Sequence, residues 1–557
     1  MSWTSAIVMV IEVIILAITV FFLLKYYAEK SEYPIYTISI YCSWFLGFIG
    51  VLLFPLDLGV AATPDESSDS AFVTFTWELV YWITFILAWV YLPVLMEYWA
   101  SGRFTKKSRI LESAWVNIKC YIPVVIIGIL AFVWYCFATQ FNISLLQGWV
   151  MGIANTYGLL FIIVFLGYGL GELPLSLWLK RDRDIELAKK YEFATHIDVE
   201  LYDAQTSIMD MKASIEEVEK TAKNTNMMTS NVKAVFDKLY SSIPNDKSMD
   251  YKRVREIVQT KNMYRMKVTN DQLLKMTREE GERYIINELA QLNTLLKRSI
   301  NQYYRKQAQW TELVQRCLYL TGKTDQGESL GFLMRQYFKF RKLIMTVASG
   351  ISIVFSVLMF WCEITTVILE IIGSDACLSP FGLILLTGAS STTKNIMSLI
   401  PLIYLSICMY RSFFRLRIPF IETYTLFHKH SDVYALCFNA YYICRLQFTL
   451  CYHYFSILQV PKSIYERSSL YNIMGQMETV PFLGSTFNHY VPLLVFLFSF
   501  FSFTKLFSIP SCKKVEKGES LLASDTTSDY EEGKKLVEIA MKKAMKTINT
   551  SPVVVAK

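Results

Sequence analysis

Charged side chains are scarce in this chain. Lys, Arg, Asp and Glu make up 18% of its 557 residues, against about 25% in an ordinary soluble domain. That is too little polar surface to cover a soluble globule of this size. Histidine is rarer still, with 5 in all. His428 and His430 stand two apart, with no Cys beside them and Asp432 as the nearest acid, so no metal site is predicted. The motifs of common chemistries are missing: there is no Gly-x-Ser-x-Gly, no His-Glu-x-x-His and no kinase set. Gly322-Lys323-Thr324 ends like a P-loop, but Cys317 stands where the first Gly is needed. Without that Gly the backbone cannot wrap its amides round phosphate. The chain is therefore predicted to be no enzyme, to need no cofactor and to bind no nucleic acid.

Of the 11 Cys, most lie inside apolar blocks, where a thiol behaves as a small hydrophobe. Cys377 is the one Cys placed well within an external loop by the topology below, and it has no partner there, so no disulfide framework is predicted. Cys512 follows the last apolar block and is a candidate for reversible palmitoylation.

What the chain does have is apolar residues, 53% of the total, gathered in long blocks. A bilayer core needs about 20 apolar residues in helix. Nine blocks qualify: 4–24, 34–56, 72–97, 118–138, 150–172, 342–366, 394–412, 433–459 and 489–509. The fold class predicted is all-α, a polytopic transmembrane bundle of about nine spans. The stretch 367–393 has apolar pieces too short to span and suits a re-entrant or interfacial segment. Four parts follow: an N-terminal bundle of five spans (1–178), a soluble loop (179–341), a C-terminal bundle of four spans (342–509) and a polar, flexible tail (510–557).

Basic residues concentrate in alternate connections. Lys25 and Lys30, then Arg103, Lys106, Lys107 and Arg109, then Arg411, Arg415, Arg417 and Lys429 mark one side. The second loop, with Asp57, Asp65, Glu66 and Asp69, and the fourth, 139–149, have no basic residue. By the positive-inside rule the N-terminus is extracellular or lumenal and the C-terminus cytoplasmic. This alternation requires an odd number of spans. Asn142-Ile143-Ser144 is an external glycosylation sequon, but its loop is so short that the unmodified state is favoured.

Within 179–341, Leu201, Ala204, Ile208, Met211, Ile215, Val218 and Ala222 alternate by three and four, which marks a coiled-coil seam. A second stretch, 284–320, has no Gly or Pro and one apolar face. The expected form is an antiparallel cytoplasmic hairpin. The alternative is pairing with a second chain in a homo-oligomer, which a seam this short disfavours. In the tail, 533–548 carries Lys534, Lys535, Lys542, Lys543 and Lys546 and suits a short basic helix against an anionic inner leaflet.

Four acids fall inside spans: Glu12 mid-way along the first, Glu78 early in the third, Glu172 at the end of the fifth and Glu363 late in the sixth. A carboxylate at mid-bilayer is costly unless paired or hydrated. These are the candidate intramembrane ligand or proton sites. Buried carboxyls bonded to a neighbouring helix are the bland alternative.

Several blocks stand out, among them Phe54-Pro55-Leu56-Asp57, Val80-Tyr81-Trp82, Ala154-Asn155-Thr156-Tyr157-Gly158, Leu166-Gly167-Tyr168-Gly169-Leu170, Trp361-x-Glu363, Cys444-Arg445-Leu446, Ile473-Met474-Gly475 and Glu532-Gly533-Lys534. Together they resemble a known family, the limb-region (LMBR-like) multi-pass membrane proteins, and most of all their second group of domain-containing proteins. Glu12 also falls where that family carries an acid. The resemblance implies a nine-span protein with a long central cytoplasmic loop and a non-enzymatic role. It further implies regulation of G-protein-coupled receptor signalling at the plasma membrane, with the loop presenting a surface to receptors or their adaptors. The alternative is a transporter, or a transport or trafficking partner, for a small molecule or lipid. Besides such partners, the composition calls for the lipid bilayer.

Overall fold

The computed structural model describes residues 3–28, 34–63, 70–138, 143–244, 273–322, 332–374, 376–413, 424–474, 485–507 and 527–550. Among them the chain is helical throughout, with one isolated β-bridge between Ala28 and Ser431. The bundle begins with α1 (Trp3–Tyr27), α2 (Pro34–Ala61) and α3 (Ser70–Ile86). A π-helical turn, Leu87–Tyr91, joins α3 to α4 (Leu92–Ala100). Then come α5 (Lys106–Ala138) and α6 (Ile143–Leu179). The hairpin is α7 (Arg183–Asn224), α8 (Ser230–Ser242) and α9 (Arg278–Thr321). The chain returns to the bundle with α10 (Phe332–Ile372), α11 (Pro380–Leu385), α12 (Ser391–Phe413) and α13 (Val433–Ile457). It ends with α14 (Lys462–Tyr465), α15 (Ser469–Met474), α16 (Ser485–Phe507) and α17 (Thr527–Thr550).

Seven of the described helices are long and apolar enough to cross a membrane, and they coincide with the first seven expected spans. The eighth expected span is α13, a 25-residue helix at the centre of the bundle. The ninth falls on α16, of which Tyr490–Ser502 is the apolar part.

Small residues set the central contacts. Ser43, Gly47 and Gly50 form a stripe on α2 at helical spacing, and α13 lies against it. A Cβ at Gly47 would meet the Ile443 side chain at 2.6 Å. The Cys444 thiol lies 3.3 Å from the Ser43 carbonyl, and Cys451 lies 3.5 Å from that of Gly50. Thus Cys444 and Cys451, seven apart, serve as small packing groups. On α6, Gly169 abuts the Cys408 carbonyl of α12, where any Cβ would collide. Without a hydrophobic driving force inside lipid, such close backbone approach supplies the association energy.

Pro174 lies inside α6. It has no N–H, so the Leu170 carbonyl four residues earlier loses its helical donor. Ser356 of α10 supplies the replacement, donating to Leu170 O at 2.7 Å, and also meets the Tyr404 hydroxyl of α12 at 2.6 Å. A proline in one span is thus satisfied by a serine in another.

The hairpin is antiparallel. Glu186 meets Arg316, Glu200 meets Lys306, and Ser207 meets Ser299 as α7 descends and α9 returns. Of the expected seam, Ile208, Ile215 and Val218 are buried, while Leu201 and Met211 pack at its margin. α9 opens with a capping box between Thr277 and Glu280 and closes on Gly322 in the left-handed region, φ +69°; glycine is the residue that tolerates this. Gly322, the Gly of the P-loop lookalike, is therefore a helix cap. At 44 residues α9 is about 66 Å long.

The tail helix is longer than the 533–548 expected, and it packs on the hairpin. From Thr527 it is helical and docks on the hairpin, with Val537 and Met541 buried among Tyr191, Ala194, Leu313 and Cys317. The reason is their i, i+4 spacing, which gives the basic helix one apolar stripe. Gly533 abuts the Tyr191 carbonyl. The stretch 367–393 also folds onto the protein: Phe381 and Leu385 of α11 enter the bundle core. Asn142 and Cys512 lie outside the described residues.

Candidate functional site

The four candidate acids part company in the structure. Glu363 is fully buried and sits 2.9 Å from Nε2 of His453 on α13, itself fully buried. Among the described residues Glu363 Oε2 and His453 Nδ1 have no hydrogen-bond partner. A carboxylate and an imidazole at this distance can share one proton, and each keeps an unused polar atom. The pair is therefore able to hold a proton or one further polar group. Around it, Gln459 Nε2 donates to the hydroxyls of Thr365 and Thr366 at 2.7 and 2.9 Å. The sequence placed Glu363 within reach of a neighbouring helix but gave no reason to pick His453, which is ninety positions away.

Glu172 lies at the hairpin end of the bundle. Its carboxylate takes the Arg411 Nε at 3.2 Å, and Arg411 also donates to Ser176 Oγ at 2.9 Å. Glu12 is half-buried on α1, with Asn395 of α12 beside it. Glu78 is exposed on the outer face of α3 and joins none of the others.

A buried acid that the sequence reading passed over is Asp57, in α2. It accepts from Ser468 Oγ (2.7 Å) and from the backbone N–H groups of Ser469 (2.9 Å) and Leu470 (3.0 Å). A side chain from α2 thus caps the first turn of α15. The other residue passed over is Arg445, which lies mid-way along α13.

At the hairpin end the bundle and the hairpin helices are tied at two points. Asn293 and Lys297 of α9 donate to the carbonyls of Gly102 and Ser101, both at 2.7 Å, and Gly102 N donates to Thr294 Oγ1 at 2.9 Å. Burial, with Arg109 and Lys238 nearby, brings the Lys297 ammonium down to about 8. At the second point Glu186 of α7 accepts from Arg316 of α9 at 3.0 Å and from Arg341 of α10. Burial pushes the Glu186 carboxyl up, but the Arg316 bond and the charges of Arg316, Arg341 and Lys180 outweigh it and hold it below its ordinary value. A cleft of about 690 Å³ opens here, lined by Tyr26, Glu172, Lys180, Glu186, Lys190 and Arg316 among others. Burial and the neighbouring Arg411 lower the Lys180 ammonium. No group of three or more His, Cys, Asp or Glu that could hold a metal occurs among the described residues.

Comparison with known proteins agrees with this architecture. A chicken (Gallus gallus) protein named G-protein coupled receptor-associated protein LMBRD2 is 23% identical over 95% of this chain and 82% of its own length. The human (Homo sapiens) protein of the same name is 22% identical over the same shares. LMBR1 domain-containing protein 2 homolog A of Dictyostelium discoideum is 25% identical over 80% of this chain and 59% of its own length. No solved structure matches at a significant level. The family model described as LMBR1-like membrane protein matches residues 5–507, and with its helical bundle and buried polar core the chain belongs to that family.

Proposed function

We propose that this protein is a non-enzymatic, receptor-associated regulator of the plasma membrane. Its partners are G-protein-coupled receptors or their adaptors. The observation that carries this reading is the soluble platform of α7, α9 and α17, clamped to the bundle by α9 on the α4–α5 loop and by Glu186 on Arg341. A partner held by such a platform is held at a fixed position relative to the spans. The names of the chicken and human relatives support the same reading. The topology that goes with it has nine spans, the seven apolar helices plus α13 and α16, and an external N-terminus. The platform is then cytoplasmic, on the side of the basic connections.

The platform leaves apolar side chains outward. Val199 and Ile539 are 60% and 66% exposed, apolar surface that a docked partner would cover. The test is proximity labelling in living cells with the label at the C-terminus. Enrichment of surface receptors and their adaptors is expected, lost on deleting 190–320 and reduced at least fivefold by Val199→Arg with Ile539→Arg. Enrichment of lysosomal or transport machinery instead, or receptor labelling that survives both changes, refutes the reading.

A further inference from the structure

Arg445 is a charge inside the bundle without a countercharge. Its helix, α13, is buried on almost every side. Other polar groups of the core have partners: Arg411 has Glu172, His453 has Glu363, and Lys394 donates to the Ala62 carbonyl. No carboxylate pairs with Arg445 among the described residues, and its Nε is buried without a partner. What surrounds the guanidinium is aromatic, with the Tyr121 hydroxyl as its polar neighbour. The guanidinium lies 3.8 Å from the ring centroid of Trp89, 4.0 Å from Tyr441 and 5.2 Å from Tyr157. Ring faces attract a cation, but they accept none of its five N–H bonds in the way an oxyanion does.

The cage is built by a local irregularity. Trp89 is the middle residue of the π-helical turn Leu87–Tyr91. Such single turns inside α-helices recur at functional sites. Its carbonyl accepts from the Tyr121 hydroxyl of α5 at 2.7 Å, which pins the turn. Beside the guanidinium lies a cavity of about 40 Å³, lined by Tyr81, Thr84, Ala88, Asn155 and Thr449 as well as Arg445. At about 10–15 Å³ for each water-sized group, this holds about three such groups. Asn155 is 5% exposed and its Oδ1 has no partner, so a second unsatisfied polar side chain faces the same space. Four of the sequence blocks that carry the family resemblance, 80–82, 154–158, 444–446 and 473–475, meet on these walls, the last through Met474.

We propose that this cavity is a binding site for the carboxylate head of a membrane-borne amphiphile, such as a long-chain fatty acid. A planar carboxylate matches the guanidinium fork in two parallel bonds. Its two oxygens and first methylene match the room available, whereas a phosphate carrying glycerol does not. Asn155 completes the polar wall and can turn either its NH2 or its oxygen to the ligand. Entry is sideways from the bilayer: Arg445 and Trp89 are only partly buried, and the flanking α5 exposes most of its apolar side chains.

The test uses the full chain in phosphatidylcholine nanodiscs with a diazirine analogue of oleate as photoprobe. Saturable labelling of peptides from α13 or from 87–91 is expected, competed by oleate. Arg445→Gln should reduce it at least tenfold. Ala88→Leu fills the cavity without touching the cage and should do the same, so it decides the matter if the arginine variant does not fold. Oleate methyl ester, which lacks the charge, should not compete. The proposal is overturned if Ala88→Leu labels like the parent chain, or if the ester competes as well as the acid. It is also overturned if phosphatidic acid competes where oleate does not, which would assign the site to a phosphate head.

Discussion

Replacing Glu186 by Gln should loosen the hairpin from the bundle. The carboxylate is 10% exposed and serves two guanidiniums, that of Arg341 at 5% and that of Arg316 at 31%. Removing one partner of a buried pair costs about 3–5 kcal/mol, because the other charge stays buried. Arg341 keeps its bonds to the Lys180 carbonyl, so the low end, about 3 kcal/mol, applies to it. The Arg316 arm is partly screened by water and adds about 0.5 kcal/mol. At 1.36 kcal/mol per factor of ten, the sum of about 3.5 kcal/mol is a roughly 400-fold change in the local opening equilibrium. Hydrogen exchange of the amides at 184–190 in nanodiscs reads it directly. Glu186→Gln with Arg341→Met removes both charges and should bring the rate back to within about tenfold of the parent. The pH dependence has a defined sign. The folded carboxyl lies below its ordinary 4.5, so its contribution is complete above that pH and is lost as pH falls through the lower folded value. Exchange within about threefold of the parent, or a double variant as fast as the single one, would refute the reasoning.

Three further outcomes are expected. His453→Phe strands the buried Glu363 carboxyl and should cost about 3–5 kcal/mol, while adding Glu363→Leu should recover most of it; thermal midpoints in one detergent check this, and a double variant no better than the single would contradict it. Asp57→Ala leaves the Ser468 hydroxyl and two amides of α15 without an acceptor, for about 3 kcal/mol at about 1 kcal/mol each. The same thermal assay should show the loss, with Asp57→Asn milder. Val537→Asp places a charge at a fully buried position of the tail helix and forfeits about 1.5–3 kcal/mol of apolar burial. Trypsin should then cut at Lys534 and Lys535 in minutes while the hairpin core resists, and unchanged cleavage would refute the docking.

Much of this molecule follows from one-dimensional pattern. Apolar runs of span length gave the helices, since in lipid a backbone must satisfy its own polar groups. The three-and-four spacing from Ile208 to Val218 placed the hairpin seam, because that period puts the side chains on one face. The alternation of basic connections with ones that lack basic residues supplied the expected sidedness. The paired chemistry of the core could not be read this way. Glu363 with His453, Glu172 with Arg411 and Asp57 with Ser468 join residues that are ninety to several hundred positions apart, and only the packing of helices decides such meetings. The π-helical turn has no composition signal, so Arg445 stood only as part of the Cys444-Arg445-Leu446 block until the fold placed Trp89 and Asn155 around it. The tail helix was judged by its lysines, yet two apolar residues one turn apart were enough to dock it once the hairpin offered a matching groove. Period and hydropathy are local properties and determine elements. The partner of a buried charge is a property of the assembled bundle, set by tertiary structure.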